Sequence, residues 1–171
     1  MIRRVESKAH DVNTRGDEKN GFELSVSRII DAPGETCFKV WTDPAQITHW
    51  WGPHGMSVPD CEMDLRPGGA FRLVMKMDDK EFPSDGIFLE VSPQRIVFTD
   101  AYVRAWVPSR KAFMTCVTTF EPQGERTHYT ALALHWSAED RDAHLKMGFD
   151  DGWAQMADRF KALVEKVHAG A

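Results

Sequence analysis

Apolar and polar residues alternate from Phe22 to Ile30, with Phe22, Leu24, Val26 and Ile30 on one side of the series and Glu23, Ser25 and Ser27 on the other. Because a period of two sends successive side chains to opposite faces, this segment is predicted as a half-buried strand, with Arg28 at an apolar-side position. Ala32-Pro33-Gly34 ends it. Cys37, Phe38 and Trp41 then recur at three-to-four spacing, and Asp43-Pro44 opens a second such turn that carries Ile47, Trp50 and Trp51 up to Gly52. Two short helices are predicted, since proline suits a helix start and glycine a helix end. From residue 58 the period of two returns: Cys61, Met63 and Leu65 alternate with Asp60, Glu62 and Asp64, and beyond Arg66-Pro67-Gly68-Gly69 the residues Phe71, Leu73, Met75 and Met77 share a side. GIFLEV, RIVFTDAYV, AFMTCVTTF and THYTALALHW continue this meander and bring the predicted strands to seven. In the last of them His128 is read as opening the apolar side and His135 as lying on the other, while residues 102–111, interrupted by Trp106 and Pro108, are predicted as a loop. Ser137 with Glu139 and Asp140 marks a helix start, after which Leu145, Phe149, Trp153, Met156, Phe160, Leu163 and Val167 repeat at helical spacing. One long amphipathic helix is expected to close the chain.

A sheet with one apolar face and a helix with one apolar stripe bury both by curling the sheet around the helix, which makes the class α+β. The 171 residues fit one domain, expected over residues 21–169 behind a flexible polar arm of residues 1–20. Apolar residues make up 42%, and no apolar run approaches the roughly 20 residues of a membrane span, so no span is expected. Arg3 and Arg4 are not followed by the apolar segment of a secretory signal, and a cytoplasmic location is the expectation. Cys37, Cys61 and Cys116 have no C-x-x-C spacing, as reduced thiols would. A net charge of -5 without a Lys/Arg stripe disfavours nucleic acid.

The chemistry centres on HWWGPHG, residues 49–55, which concentrates two indoles where regular structure stops. Either both pack into the core, or one enters it while the other covers the mouth of a pocket. His49 and His54 flank the pair; two imidazoles can bind a divalent ion, but catalytic zinc takes three protein ligands and no third is evident, so no metal is expected. Asp60, Glu62 and Asp64 form either an acid–base set or a solvated sheet face. Arg28 on an apolar side calls for a carboxylate partner or a bound anion. His128 and His135 have no Ser or Cys at the spacing of a nucleophile. Gly148 and Gly152, each costing about 1 kcal/mol inside a helix relative to alanine, allow either close helix–sheet contact or room for a ligand.

The runs SRIIDAPGETCFKVWTDPAQITHWWGPHG, DLRPGGAFRL and GFDDGW resemble the START-like superfamily with its helix-grip fold. More narrowly, they resemble the family homologous to the C-terminal domain of the activator of the ninety-kilodalton heat-shock chaperone's ATPase. The matching positions are Arg28, Ala32-Pro33, Trp41-Thr42-Asp43-Pro44, Trp50-Trp51-Gly52-Pro53, Arg66, Gly68-Gly69, Gly86 and Gly152-Trp153, in order between about residues 22 and 168. The resemblance implies a hydrophobic cavity between a curved sheet and the C-terminal helix. Under that fold the expected ligand-binding residues are Trp50, Trp51, Phe71, Leu73, Met75 and Phe88, with Trp106, Phe149, Gly152, Trp153 and Met156. Arg28, His49, His54 and His128 are the polar candidates. The expected function is binding of a small hydrophobic or aromatic ligand without a cofactor. A cyclase- or hydrolase-type enzyme using the same cavity and a regulator of a chaperone ATPase are the alternatives, and homodimer formation is left open.

Overall fold

Every segment with a period of two becomes a strand in the computed structural model, which describes residues 21–170; the arm expected over residues 1–20 lies outside the described residues. In chain order the elements are β1 (Glu23–Ile30), α1 (Gly34–Trp41), α2 (Pro44–Trp50), β2 (Ser57–Met63), β3 (Ala70–Met77), β4 (Lys80–Ser92) and β5 (Arg95–Thr99). They continue with β6 (Tyr102–Arg104), β7 (Val107–Pro108), β8 (Met114–Gln123), β9 (Arg126–His135), α3 (Ala138–Lys146) and α4 (Phe149–His168). Seven of the strands form one antiparallel sheet in the order β1-β9-β8-β5-β4-β3-β2. The long connection from β1 through α1 and α2 to β2 therefore joins its two edges. Both edges are blunted against strand addition. Along β1, Arg28 and Lys161 donate to the carbonyls of Ser27 and Ile29, while β2 carries Pro59 and the exposed acids Asp60 and Glu62.

Helix starts obey local chemistry. The Asp43 carboxylate accepts from Ala45 N at 2.9 Å to cap α2, with Pro44 in its first turn, and Ser137 Oγ accepts from Asp140 N to cap α3. A Cβ on Gly86 would stand 2.5 Å from the Thr99 carbonyl oxygen, so only glycine lets β4 and β5 approach there. α4 lies against β1, α1 and α2, and the core between helix and sheet is aromatic. Trp41 is its hub, with ring centroids 5.7–6.3 Å from those of Trp50, Trp51, Phe71, Phe88 and Phe98. Among the described residues no helix is long and apolar enough to cross a membrane.

Three expectations are corrected. The closing helix is two helices, because Gly148 adopts φ 93° and turns the chain between α3 and α4. The helical stripe ran through this break because Leu145 falls four residues before Phe149; in the fold Leu145 and Met147 are exposed, and His144 is the buried residue of α3. In β9 the faces are reversed: Thr127, Tyr129, Ala131, Ala133 and His135 point inward, and His128, Thr130, Leu132 and Leu134 point outward. The larger side chains misled the pattern, since the helix side needs small residues where aromatic rings already fill the space. Finally, residues 102–111 contain the small β6–β7 hairpin, turned at Trp106 with φ 60°.

Candidate functional site

The two adjacent tryptophans part company at the end of α2. Trp50 is the last helical residue and points inward, fully buried, with its ring 4.6 Å from that of Phe160 on α4. Trp51 is already extended and only half-buried, with its ring edge-on to Phe71 at 5.5 Å and 6.0 Å from Phe98. Gly52, at φ 86°, then reverses the chain. α4 holds this loop by its polar groups. Arg159 donates to the carbonyls of His49, Gly52 and Pro53 at 2.8–3.2 Å, and Gln155 Oε1 accepts from His54 N at 2.9 Å. Four backbone groups that no helix or strand could satisfy thus find partners on one helix face. Burial lowers the Arg159 pKa from its ordinary value.

Between this loop, the sheet and α4 lies a residual space lined by Trp41, Trp51, Phe98, Cys116, Thr118, Tyr129, Ala131, Trp153 and Met156. The centre of a water molecule can range over about 10 Å³ of it, room for about one water. The hollow interior expected from the resemblance is therefore nearly closed, because the indoles of Trp41, Trp51 and Trp153 occupy it. Trp41 and Tyr129 are buried, whereas Trp51, Phe98 and Trp153 also reach solvent. The polar atoms of the wall sit on neighbouring strands. Thr118 Oγ lies 4.0 Å from Cys116 Sγ, and Tyr129 follows on β9. Burial pushes the Cys116 thiol up to about 12 and raises the Tyr129 phenol further, so both are neutral at any ordinary pH.

Of the residues expected at a ligand site, Trp51, Trp153 and Met156 line this space. Trp50, Phe71, Leu73 and Phe88 are buried in the surrounding core, and Met75 is half-buried beside Gly52. Trp106 stands away from it on the β6–β7 hairpin, 67% exposed and edge-on to Tyr102. Phe149 packs on Trp153 and His144. A Cβ on Gly152 would meet Pro53 at 3.9 Å, an ordinary contact, so close packing does not require that glycine. The polar candidates lie elsewhere. Arg28 Nε donates to Asp158 at 2.6 Å and Nη2 donates to the Ala154 carbonyl, which joins β1 to α4. His49 and His54 are exposed, and His128 faces Glu121 on the outer side of the sheet at 3.7 Å. Glu62 pairs with Arg72 and Asp64 with Arg66. Among the described residues no group of three or more His, Cys, Asp or Glu side chains could hold a metal ion.

Sequence reasoning missed Trp41, Phe98, Cys116, Thr118, Tyr129 and Ala131 in the lining. It also missed a histidine pair. His135 Nε2 lies 2.9 Å from His144 Nδ1, and His135 Nδ1 lies 2.7 Å from the Phe22 carbonyl oxygen. A carbonyl only accepts, so His135 donates from Nδ1, and the bond between its Nε2 and His144 Nδ1 holds one proton between the two rings. Phe113, Phe149 and Trp153 surround His144 with centroids at 4.9–5.6 Å. Burial, and next the charge of His135, bring the His144 pKa down to about 4.

Comparison with known proteins agrees with this architecture. A protein from Nitrosomonas europaea, solved by X-ray crystallography, superposes with a TM-score of 0.83 at 33% identity, covering 88% of this chain and 98% of that one. A Mycobacterium smegmatis crystal structure follows at 0.70 and 25%, covering 83% of this chain and 90% of that one. A solution structure of an AHSA1-like protein from Aeromonas hydrophila, at 20% identity and a TM-score of 0.66, covers 85% of this chain and 93% of that one and shares the fold. No curated protein matches. The family model described as Activator of Hsp90 ATPase homolog 1-like protein matches residues 31–165, from the turn after β1 into the last turns of α4. With its helix-grip sheet, its Trp-Trp loop held by α4 and this match over most of its length, the chain belongs to the Activator of Hsp90 ATPase homolog 1-like family.

Proposed function

We propose that the chain takes up a small, neutral, apolar or aromatic molecule between the sheet and α4. The observation that carries this reading is the make-up of the lining, in which the aromatic rings of Trp41 and Tyr129 are buried while those of Trp51, Phe98 and Trp153 are only partly so. Half-buried rings lose little burial by turning outward, and a flat apolar guest replaces the contacts they leave. Binding then selects a minor open state rather than filling a standing hole. Acid–base catalysis finds less support there. Among the described residues the lining contains no imidazole or carboxylate, and its thiol and phenol stay protonated.

The test is a titration with N-phenyl-1-naphthylamine, read by probe fluorescence and by melting temperature. Binding raises the melting temperature with probe concentration as linkage requires. Ala131→Leu, which fills the residual space, is expected to weaken binding at least tenfold, whereas Trp106→Ala on the distant hairpin leaves it unchanged. A melting temperature that ignores the probe, or equal binding by the Ala131→Leu protein, removes the proposal.

A further inference from the structure

The wall of the pocket is not uniformly apolar, and its polar atoms are unevenly satisfied. Tyr129 is 1% exposed, its ring lying between Phe120 and Phe160 with centroids at 6.1 and 4.9 Å. Among the described residues its hydroxyl makes no hydrogen bond to the protein, and it is not one of the fully enclosed unsatisfied polar atoms, so the little surface Tyr129 keeps leaves the hydroxyl free to pair with a group in the residual space it lines. Thr118, on the same inward face one strand away, pairs among the described residues only with the sulfur of Cys116 at 4.0 Å, a long and weak contact. Two hydroxyls on neighbouring strands thus border a space the size of about one oxygen-bearing group. Charge is missing from the same wall. Arg28, across the β1–β9 ladder from Tyr129, is spent on Asp158 and on the carbonyls of Ser27 and Ala154.

Resting on the binding reading above, we infer that the natural ligand is a neutral aromatic molecule bearing a hydrogen-bond-accepting oxygen, such as an aryl ketone. Its oxygen accepts from the Tyr129 hydroxyl with Thr118 alongside. A hydrocarbon of the same shape leaves that hydroxyl unpaired, and an anion meets no free cation in the wall, so both bind less well. The phenol keeps its proton throughout the working pH range, so the donor is always present.

Paired titrations with 2-acetylnaphthalene and 2-ethylnaphthalene, near-isosteres that differ in the carbonyl, read this directly. The wild-type protein is expected to prefer the ketone by roughly five- to tenfold, the worth of one hydrogen bond. Tyr129→Phe is expected to bring the ratio to about one while the hydrocarbon's dissociation constant moves less than about twofold. Because the hydroxyl has no partner among the described residues, that variant is expected to melt no lower than the wild type. Should it fail to fold, Thr118→Val serves instead, with the ratio reduced about two- to threefold. Equal affinities in the wild type, or a preference that survives Tyr129→Phe, overturn the inference and leave the pocket standing. Failure of both naphthalenes to bind overturns the pocket and the inference together.

Discussion

His49 and His54 bracket two tryptophans within seven residues of chain, whereas His135 and His144 are brought together from the end of a strand and the body of a helix. The first pair is exposed, and Arg159 and Gln155 hold its backbone groups. The second pair is 3% and 7% exposed, hydrogen-bonded ring to ring and walled by aromatic side chains. Proximity in sequence produced the more conspicuous motif and the less unusual chemistry. What alters an imidazole is desolvation and a fixed partner, both of which tertiary contact supplies.

Acid gives the sharpest separation of the two regions. His144 titrates near 4 in the folded chain and near the ordinary 6.5 when unfolded, so only the unfolded state takes up its proton between those values. Stability is therefore whole above about pH 6.5 and falls as the pH drops toward 4, by about 3 kcal/mol in total. Asp100, raised by burial, acts with the opposite sign, gaining stability as it protonates, and is common to every variant compared. His144→Asn keeps a donor toward His135 without a titrating ring; its urea midpoint is expected to lack this slope, and an equal slope in both proteins would place the acid sensitivity elsewhere. A somewhat smaller contrast comes from truncation at neutral pH. His144→Ala strands His135 Nε2 and opens a gap beside Phe113 and Trp153, a loss of about 2 kcal/mol, while His49→Ala and His54→Ala stay within about 0.5 kcal/mol. Similar midpoints for all three would erase the distinction between buried and exposed rings. The smallest effect concerns the glycines at the start of α4. Gly148→Ala meets the left-handed backbone and is expected to cost about 1 kcal/mol, whereas Gly152→Ala, with only an ordinary contact to Pro53, is expected to gain about as much. Thermal unfolding of both variants decides the sign.

The sheet was legible because each strand has one wet and one dry face, and Phe71, Leu73, Asp60 and Glu62 sit where their alternation puts them. β9 was legible as a strand but not as to its faces, since Leu132 and Leu134 outweigh Ala131 and Ala133 in any count of apolar bulk. The break at Gly148 was hidden because a helical period says nothing about whether its stripe finds something to cover, and α3 buries only one side chain. At the site, the flanking loop and helix were readable from Trp51, Trp153 and Met156. The opposite wall was not, because Cys116, Thr118 and Tyr129 are unremarkable residues of two strands until pairing brings them side by side. Their inward alternation in AFMTCVTTF and THYTALALHW was the available signal.

The left-handed joint at Gly148 also bears on how such a chain can vary. In an unbroken helix, adding one residue upstream would rotate everything after it by about 100° and swing Trp153, Met156 and Phe160 off the sheet. A joint that resets the phase frees the rotation of α4 from the length of α3, so residues can be added or lost ahead of His144 while the aromatic face of α4 keeps its bearing.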